Sequence, residues 1–247
     1  VGKTEVRDAL VLRRHPLPSG DVIATLLSPD GRWRAIARKG KLPGGNLARL
    51  SLFHDVTVQV YHRRSDDLAL ITQVRLNGAL AGLSKPEVYG YAHLLAELTD
   101  HLTTEHPADE QHYTLLTSAL RGLNVHHDPE AVALAYSWRL LRHAGLAPQV
   151  SRCSCGAPPD RLLIAEGMGL CSSCAQQGAA VGFGPEGAQG ALVVGEAAMA
   201  ALDFMLRAPL REVMATPPSE RDPQWRALRR FIGWHLGKVR ALEVLPP

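Results

Sequence analysis

Outside one short window, this 247-residue sequence contains no cysteine. A disulfide framework stapling the whole chain is excluded, and the usage fits a reducing, cytosolic compartment. Long apolar runs are missing too. None approaches the roughly 18 residues of a membrane-spanning helix, and no signal-peptide apolar region opens the chain, so a cytoplasmic protein without a membrane partner is expected. Aromatic residues make up only 5% of the chain, and over residues 1–80 there are few beyond Trp33, Phe53 and Tyr61, which argues against a base-stacking platform in that part. The H-x-E and P-C-x-x-C halves of a zinc deaminase are absent. Carboxylates do not cluster either: Asp66-Asp67 is an isolated pair. A metal-dependent nuclease or hydrolase therefore stands as the weaker alternative to a non-enzymatic binding protein.

The four cysteines lie in Cys153-Ser-Cys155 and Cys171-Ser-Ser-Cys174, fifteen residues apart. Two close thiolate pairs at that separation can close a tetrahedral cage around zinc, which takes soft anionic ligands and imposes no d-electron geometry. Neither two disulfides nor four unrelated buried thiols accounts for the absence of cysteine elsewhere. Gly156 after the second cysteine, and Gly167 and Gly169 before the third, let the backbone bend and aim N–H groups at sulfur. The first pair is C-x-C, a tighter chelate than the C-x-x-C of most zinc ribbons. With Cys153, Cys155, Cys171 and Cys174 all bound, Zn2+ has no open position, so one structural ion per chain is expected.

The net charge of +3 conceals an asymmetry. Residues 1–80 carry 13 Lys/Arg against 7 Asp/Glu, and the remainder carries 14 against 17, which points to a polyanionic partner for the N-terminal part. That part reads as β. Residues 9–12, 21–28, 32–39, 56–60 and 68–76 are strand candidates, and Pro29-Asp30-Gly31 is a hairpin turn. Five short strands in one such segment predict an OB-type barrel over residues 1–80, with an SH3-like barrel as its rival. Alternation along 32–39 places Arg32, Arg34, Ile36 and Arg38 on one face, and Trp33, expected in the core, with Ala35, Ala37 and Lys39 on the other. Lys39-Gly40-Lys41 carries the charge into the next loop, and no acid stands between Arg32 and Lys41. Arg32, Arg34, Arg38, Lys39 and Lys41 are therefore the expected DNA-binding set. A solvated edge strand would need only one or two lysines to block aggregation. With few aromatics nearby, binding should be backbone-dominated, sequence-independent and salt-sensitive.

Residues 81–247 read as a helical domain containing the cysteine window as an insert over 150–178, so the chain as a whole is α+β. Ser84-Lys-Pro86-Glu87 is a helix start followed by Val88, Tyr91, Leu95, Leu98 and Leu102 at helical spacing. A second helix is predicted over 111–123, and Asp128-Pro129-Glu130 opens a third that stops at Gly145. His93, His101, His112, His126 and His127 have no ligand context and are expected to be solvated. Residues 178–195, rich in glycine and alanine, read as a mobile loop. Helices return at about 196–207 and 223–242. In the last of these Leu228, Ile232, His235, Val239 and Leu242 form the buried stripe, with His235 a satisfied core histidine and the basic set Arg226, Arg229, Arg230, Lys238 and Arg240 on the rest, a solvated face by default with a second, salt-sensitive nucleic-acid contact as the alternative.

The order of these parts resembles the RecO family of bacterial recombinational-repair mediators. Ile36-Ala-Arg-Lys39-Gly40-Lys41, followed by Leu50 and Phe53, is similar to the family's basic-glycine stretch. Trp138-Arg-Leu-Leu141 with Gly145, Pro148 and Cys155-Gly156 looks like its approach to the cysteines, and Gly167 to Cys174 and Phe231-Ile-Gly-Trp-His235-Leu complete the likeness over nearly the full length. The family has C-x-x-C where this chain has Cys153-Ser-Cys155. The resemblance implies binding of single- and double-stranded DNA, annealing of complementary strands, and work with RecR to place recombinase on gaps coated by single-strand-binding protein. It also implies that the C-terminal tail of that coating protein docks on the helical domain, where Arg139 and Arg142 would meet it. A protein-only zinc-ribbon adaptor is the further alternative.

Overall fold

The computed structural model describes residues 3–39, 48–62, 68–105, 109–177, 191–218 and 220–245. Five strands open the chain: β1 (Lys3–Pro16), β2 (Val22–Ser28), β3 (Gly31–Ala37), β4 (Asp55–His62) and β5 (Ala69–Gly78). They close into a barrel in the order β1-β2-β3-β5-β4. Every pairing is antiparallel except β3 with β5, which meet in parallel at Ala35↔Ala69 and Ile36↔Leu70. This is the OB-type closure, which removes the free sheet edges that invite aggregation. Alternation fills the interior with Val11, Ala24, Leu26, Trp33, Ala35, Val58 and Ile71. Trp33 is 4% exposed, and its indole N–H donates to Ser28 Oγ at 3.2 Å, so the buried ring keeps its polar atom satisfied.

β1 is longer than its apolar run of 9–12, because its first half pairs with β4 and its second half with β2. The irregular register between Val11 and Arg13 bends it from one partner to the other. Leu10, Leu12 and Leu27 point out of the barrel yet are buried. Helices α1 (Pro86–Leu102) and α2 (Glu110–Val125) pack on β1 and β2 and belong to the same compact unit, which runs from Val1 to His126.

The second unit, His127–Pro247, is built around α3 (Pro129–His143). Ala131–Leu141 is buried almost throughout, and Trp138, with no exposed surface, packs on Phe231 at a ring distance of 5.6 Å. Packed on α3 are α5 (Glu196–Arg207), α6 (Leu210–Ala215) and α7 (Arg221–His235). Between α3 and α5 the chain forms β6 (Arg161–Leu163), β7 (Met168–Leu170), α4 (Ser172–Gln177) and β8 (Leu192–Val193). The Asp128 carboxylate caps α3 by accepting from Ala131 N–H at 3.1 Å. Arg221 grips that carboxylate and also Glu130, at 2.8 Å, while Trp225 donates to Glu130 at 2.8 Å. Replacing Arg221 by Met should therefore destabilise the second unit by about 2 kcal/mol in urea unfolding, since it removes the cation shared by two partly buried carboxylates. A loss below about 0.5 kcal/mol, the level of an exposed pair, would show that this network does not hold α7 to α3.

Four details of the helical part depart from expectation. The terminal helix over 223–242 is two: α7 ends at His235, Gly237 adopts φ +79, and a short α8 (Ala241–Val244) follows, because a left-handed residue cannot continue an α-helix. Leu210–Ala215 is helical, with Pro209 at its N-cap, where no helix was expected. Of the sequence predicted as loop over 178–195, residues 178–190 lie outside the described residues and Leu192–Val193 is a strand paired to β6. His112 is buried, not solvated: it is 4% exposed with Nδ1 2.6 Å from the Asp109 carboxylate. His93 is half-buried against Tyr89 and Phe53, and burial pushes its pKa below the usual histidine range. His235 fits its expected role, donating from Nε2 to Ile164 O at 2.8 Å over the Phe231 ring.

Candidate functional site

The four cysteines converge. Cys153 and Cys155 sit in the loop before β6, Cys171 at the end of β7 and Cys174 on α4, so the β6–β7 hairpin folds the two pairs onto each other. Their sulfurs lie within 4.8 Å of one another, and Cys155 Sγ is 3.6 Å from Cys171 Sγ. A tetrahedral zinc site with bonds near 2.3 Å would set sulfurs about 3.8 Å apart. A disulfide would need about 2.05 Å, and all four thiols are free. Cys153, Cys171 and Cys174 are buried, and Cys155 is exposed at the rim.

The knuckle turns at Gly156 as expected, but Gly156 N–H and Gly169 N–H donate to the carbonyls of Cys153 and Gln149, and the backbone N–H groups on sulfur belong to the cysteines themselves. Gly156, at φ +88, turns back so that its N–H donates to Cys153 O at 2.8 Å, while Cys153 N–H donates to Ala157 O at 2.9 Å. The C-x-C spacing is thus accommodated by a tight turn. Burial pushes the Cys153 thiol up, but the N–H groups of Cys155 and Cys171 and the neighbouring thiols outweigh it and bring its pKa down to about 6. Cys174 is driven the other way, up to about 12, by hydrogen bonding to Cys155, Cys153 and Cys171. Such a group gives up its first proton readily and its last with difficulty, which is the electrostatic condition a bound dication relieves. The donor set, the spacing and the backbone N–H groups all fit a metal ion held by four ligands. Among the described residues no other group of three or more metal-ligating side chains occurs.

The outer face of β3 carries Arg32, Arg34 and Ile36, as alternation requires. Two of its cations have internal partners. Arg32, 20% exposed, binds Asp100 of α1 at 2.5 Å, and Arg34, 49% exposed, binds Glu105 at 2.5 Å. Arg13 of β1 shares Asp100 at 3.6 Å. These acids were invisible to a reading of 32–41, because they come from the end of α1 and the chain beyond it, and only folding lays residue 105 beside residue 32. Arg38 and Lys39 continue past the strand and are exposed. Lys39 takes φ +50 and its backbone N–H donates to Asp21 Oδ1 at 2.8 Å. That bond holds the Asp21 carboxyl below its usual range, and Asp21 lies close enough to feel both cations, yet no ion pair among the described residues engages either side chain. Lys41 and Asp66-Asp67 lie outside the described residues.

Arg139 and Arg142, on the last turns of α3, reach the end of α5: Arg139 donates to Ala208 O and Arg142 to Leu206 O. Cations there satisfy carbonyls that a helix end leaves without partners. Burial lowers the pKa of Arg139. Each arginine therefore has a structural duty that its position in the sequence did not disclose.

Comparison with known sequences decides the family. The N-terminal part of Recombination protein O matches residues 4–79, and its C-terminal part matches residues 83–242. The chain belongs to the RecO family. A DNA repair protein RecO from Anaeromyxobacter sp. (strain K) is 32% identical to it, over 93% of this chain and 90% of the relative. One from Anaeromyxobacter dehalogenans (strain 2CP-C) is 30% identical over the same shares, and one from Roseiflexus sp. (strain RS-1) is 30% identical over 68% of this chain. The OB-type barrel and the four-cysteine cluster thus occur in a RecO-family chain, and among its described residues no helix is long and apolar enough to cross a membrane.

Proposed function

We propose that this RecO-family chain is a non-enzymatic mediator of DNA repair and recombination in the bacterial cytoplasm. It binds single- and double-stranded DNA without sequence preference, promotes annealing of complementary strands and, with RecR, helps load recombinase onto gaps coated by single-strand-binding protein. The observation that carries this reading is the exposed cationic end of β3. Among the described residues, Arg38 and Lys39 extend beyond the strand without ion-pair partners, Arg34 stands beside them in a half-exposed pair, and Lys41 follows in the sequence. Annealing requires phosphate repulsion to be neutralised while bases stay free to pair. A cationic surface with few aromatics suits that task, because it grips backbone without trapping bases.

Arg32 takes a supporting part in this reading, its charge matched to Asp100. Zinc is the metal the cage would hold, with all four sulfurs bound and no vacancy for water or substrate, so its role is structural. The C-terminal tail of single-strand-binding protein is assigned to the helical unit, with Arg139 and Arg142 supplying positive charge for its acidic residues.

The test is an annealing time course with labelled complementary oligonucleotides. The protein should accelerate annealing at low salt, the variant R34Q/R38Q/K39Q should lose most of that acceleration, and neither strand should be hydrolysed with added Mg2+, Mn2+ or Zn2+. Metal-dependent cleavage would favour the hydrolase alternative. Capture of RecR without any DNA shift at two salt concentrations would favour the protein-only adaptor.

A further inference from the structure

Of the four tryptophans, Trp33, Trp138 and Trp225 are buried, at 4%, 0% and 5% exposure, and Trp234 is 67% exposed. A lone ring in water near the end of α7 carries no meaning by itself; what stands beside it does. Trp234, Arg230 and Arg226 recur every four residues, so they share one stripe of the helix. All three are exposed, and Gly233 next to the ring has open space where a Cβ would stand.

The arginines of α7 divide into two classes. Arg221 is engaged with Asp128 and Glu130, and Arg229 donates to the carbonyls of Leu242 and Leu245. Arg226 and Arg230 form no hydrogen bond or ion pair among the described residues. The nearest acid in the stripe, Asp222, lies a turn before Arg226 at the start of the helix and forms no ion pair with it. Two uncommitted guanidiniums in line with an exposed indole are the components that hold a single nucleic-acid strand: cations on phosphate and a π-face on a base.

We propose that the exposed stripe of α7 binds one strand of DNA, with Arg226 and Arg230 on consecutive phosphates and Trp234 stacked on an unpaired base. This rests on the DNA-binding reading above and adds a second surface, on a different unit from the barrel. It gives an annealing protein a separate grip for each strand. The barrel, poor in aromatics, follows backbone alone, and α7 selects strands whose bases are unstacked.

Tryptophan fluorescence tests it in the intact protein, because Trp234 supplies the solvent-exposed emission. Addition of oligo(dT) should quench the red side of the emission, and duplex of equal length should quench it far less. W234F should remove that component and leave oligo(dT) affinity within about threefold, whereas W234A should weaken it by about tenfold in an R38Q/K39Q background, where the barrel no longer dominates. R226Q/R230Q keeps the fluorophore and should require about tenfold more oligonucleotide for the same quench. All three positions are exposed, so melting temperatures should not change.

Oligonucleotide binding seen by anisotropy but without quenching would overturn the α7 site and leave the barrel reading intact. Quenching that persists in R38Q/K39Q while that variant binds DNA as tightly as the parent would support α7 and remove the barrel. Quenching by an acidic peptide and not by oligo(dT) would overturn the proposal in favour of protein docking, and absence of any DNA binding would overturn both readings.

Discussion

A C171S/C174S variant should retain less than about a tenth of the metal bound by the parent, and with it lose the ordered insert between α3 and α5. The reason is the size of what remains. Apart from three of the cysteines, the buried residues of the insert's apolar cluster are Leu163 and Leu170, far too little to offset the entropy of ordering two short hairpin strands, a short helix and their loops. Structural zinc contributes about 10 kcal/mol or more to small zinc-dependent folds, so an ion held by the four cysteines, and not the core, is expected to close the insert. The loss should spread in a defined direction. Gln149 N–H donates to Gly167 O at 2.7 Å, Gln149 O accepts from Gly169 N–H at 2.8 Å, and His235 reaches Ile164 O. Hydrogen exchange should therefore rise sharply across β6, β7 and α4 and moderately at the end of α7, and remain unchanged in β1–β5. Elemental analysis supplies the metal count. A fully protected insert without metal would contradict the clamp.

How far the sequence foretold this molecule depended on whether a feature was local. The β2–β3 hairpin was legible because Pro29-Asp30-Gly31 and strict alternation act within a few residues, and Ser28↔Gly31 is the observed pairing. Asp128-Pro129 announced α3 for the same reason, as a cap and a fixed φ need no tertiary context. The cysteine cage was legible through spacing alone. The full length of β1 was not, since Lys3–Asp8 and Arg13–Pro16 show no apolar pattern and become strand by pairing with β4 and β2. Gly237 reads as harmless inside a helical stripe until its φ is known. The cationic face shows the limit most clearly. Alternation placed Arg32 and Arg34 on it correctly, but only the packing of α1 brings Asp100 and Glu105 across to meet them. His112 failed similarly, its partner Asp109 being the N-cap of α2.

Those acid partners sharpen the second large effect. Arg32 is mostly covered and paired, so R32Q should cost stability more than DNA affinity. Arg34 must release Glu105 to reach a phosphate, but both side chains are substantially exposed, and such a pair is worth about 1 kcal/mol or less. Among the described residues, Arg38 and Lys39 have no ion pair to give up. Each phosphate contact displaces condensed counterions, which contributes about 0.7 to the slope of log K against log salt for a single strand and about 0.9 for a duplex. Three lost contacts at 0.1 M salt correspond to roughly 100-fold weaker binding of a single strand and roughly 500-fold weaker binding of duplex, whatever the sequence.

The salt dependence of DNA affinity, measured for the parent and for R34Q/R38Q/K39Q on the same single-stranded and duplex oligonucleotides, tests the central claim most directly. Slopes should be shallower in the variant by about 2 for single strands and by nearly 3 for duplex, with equal losses across unrelated sequences. Unchanged affinity and slopes would contradict that claim and remove the end of β3 as the DNA surface.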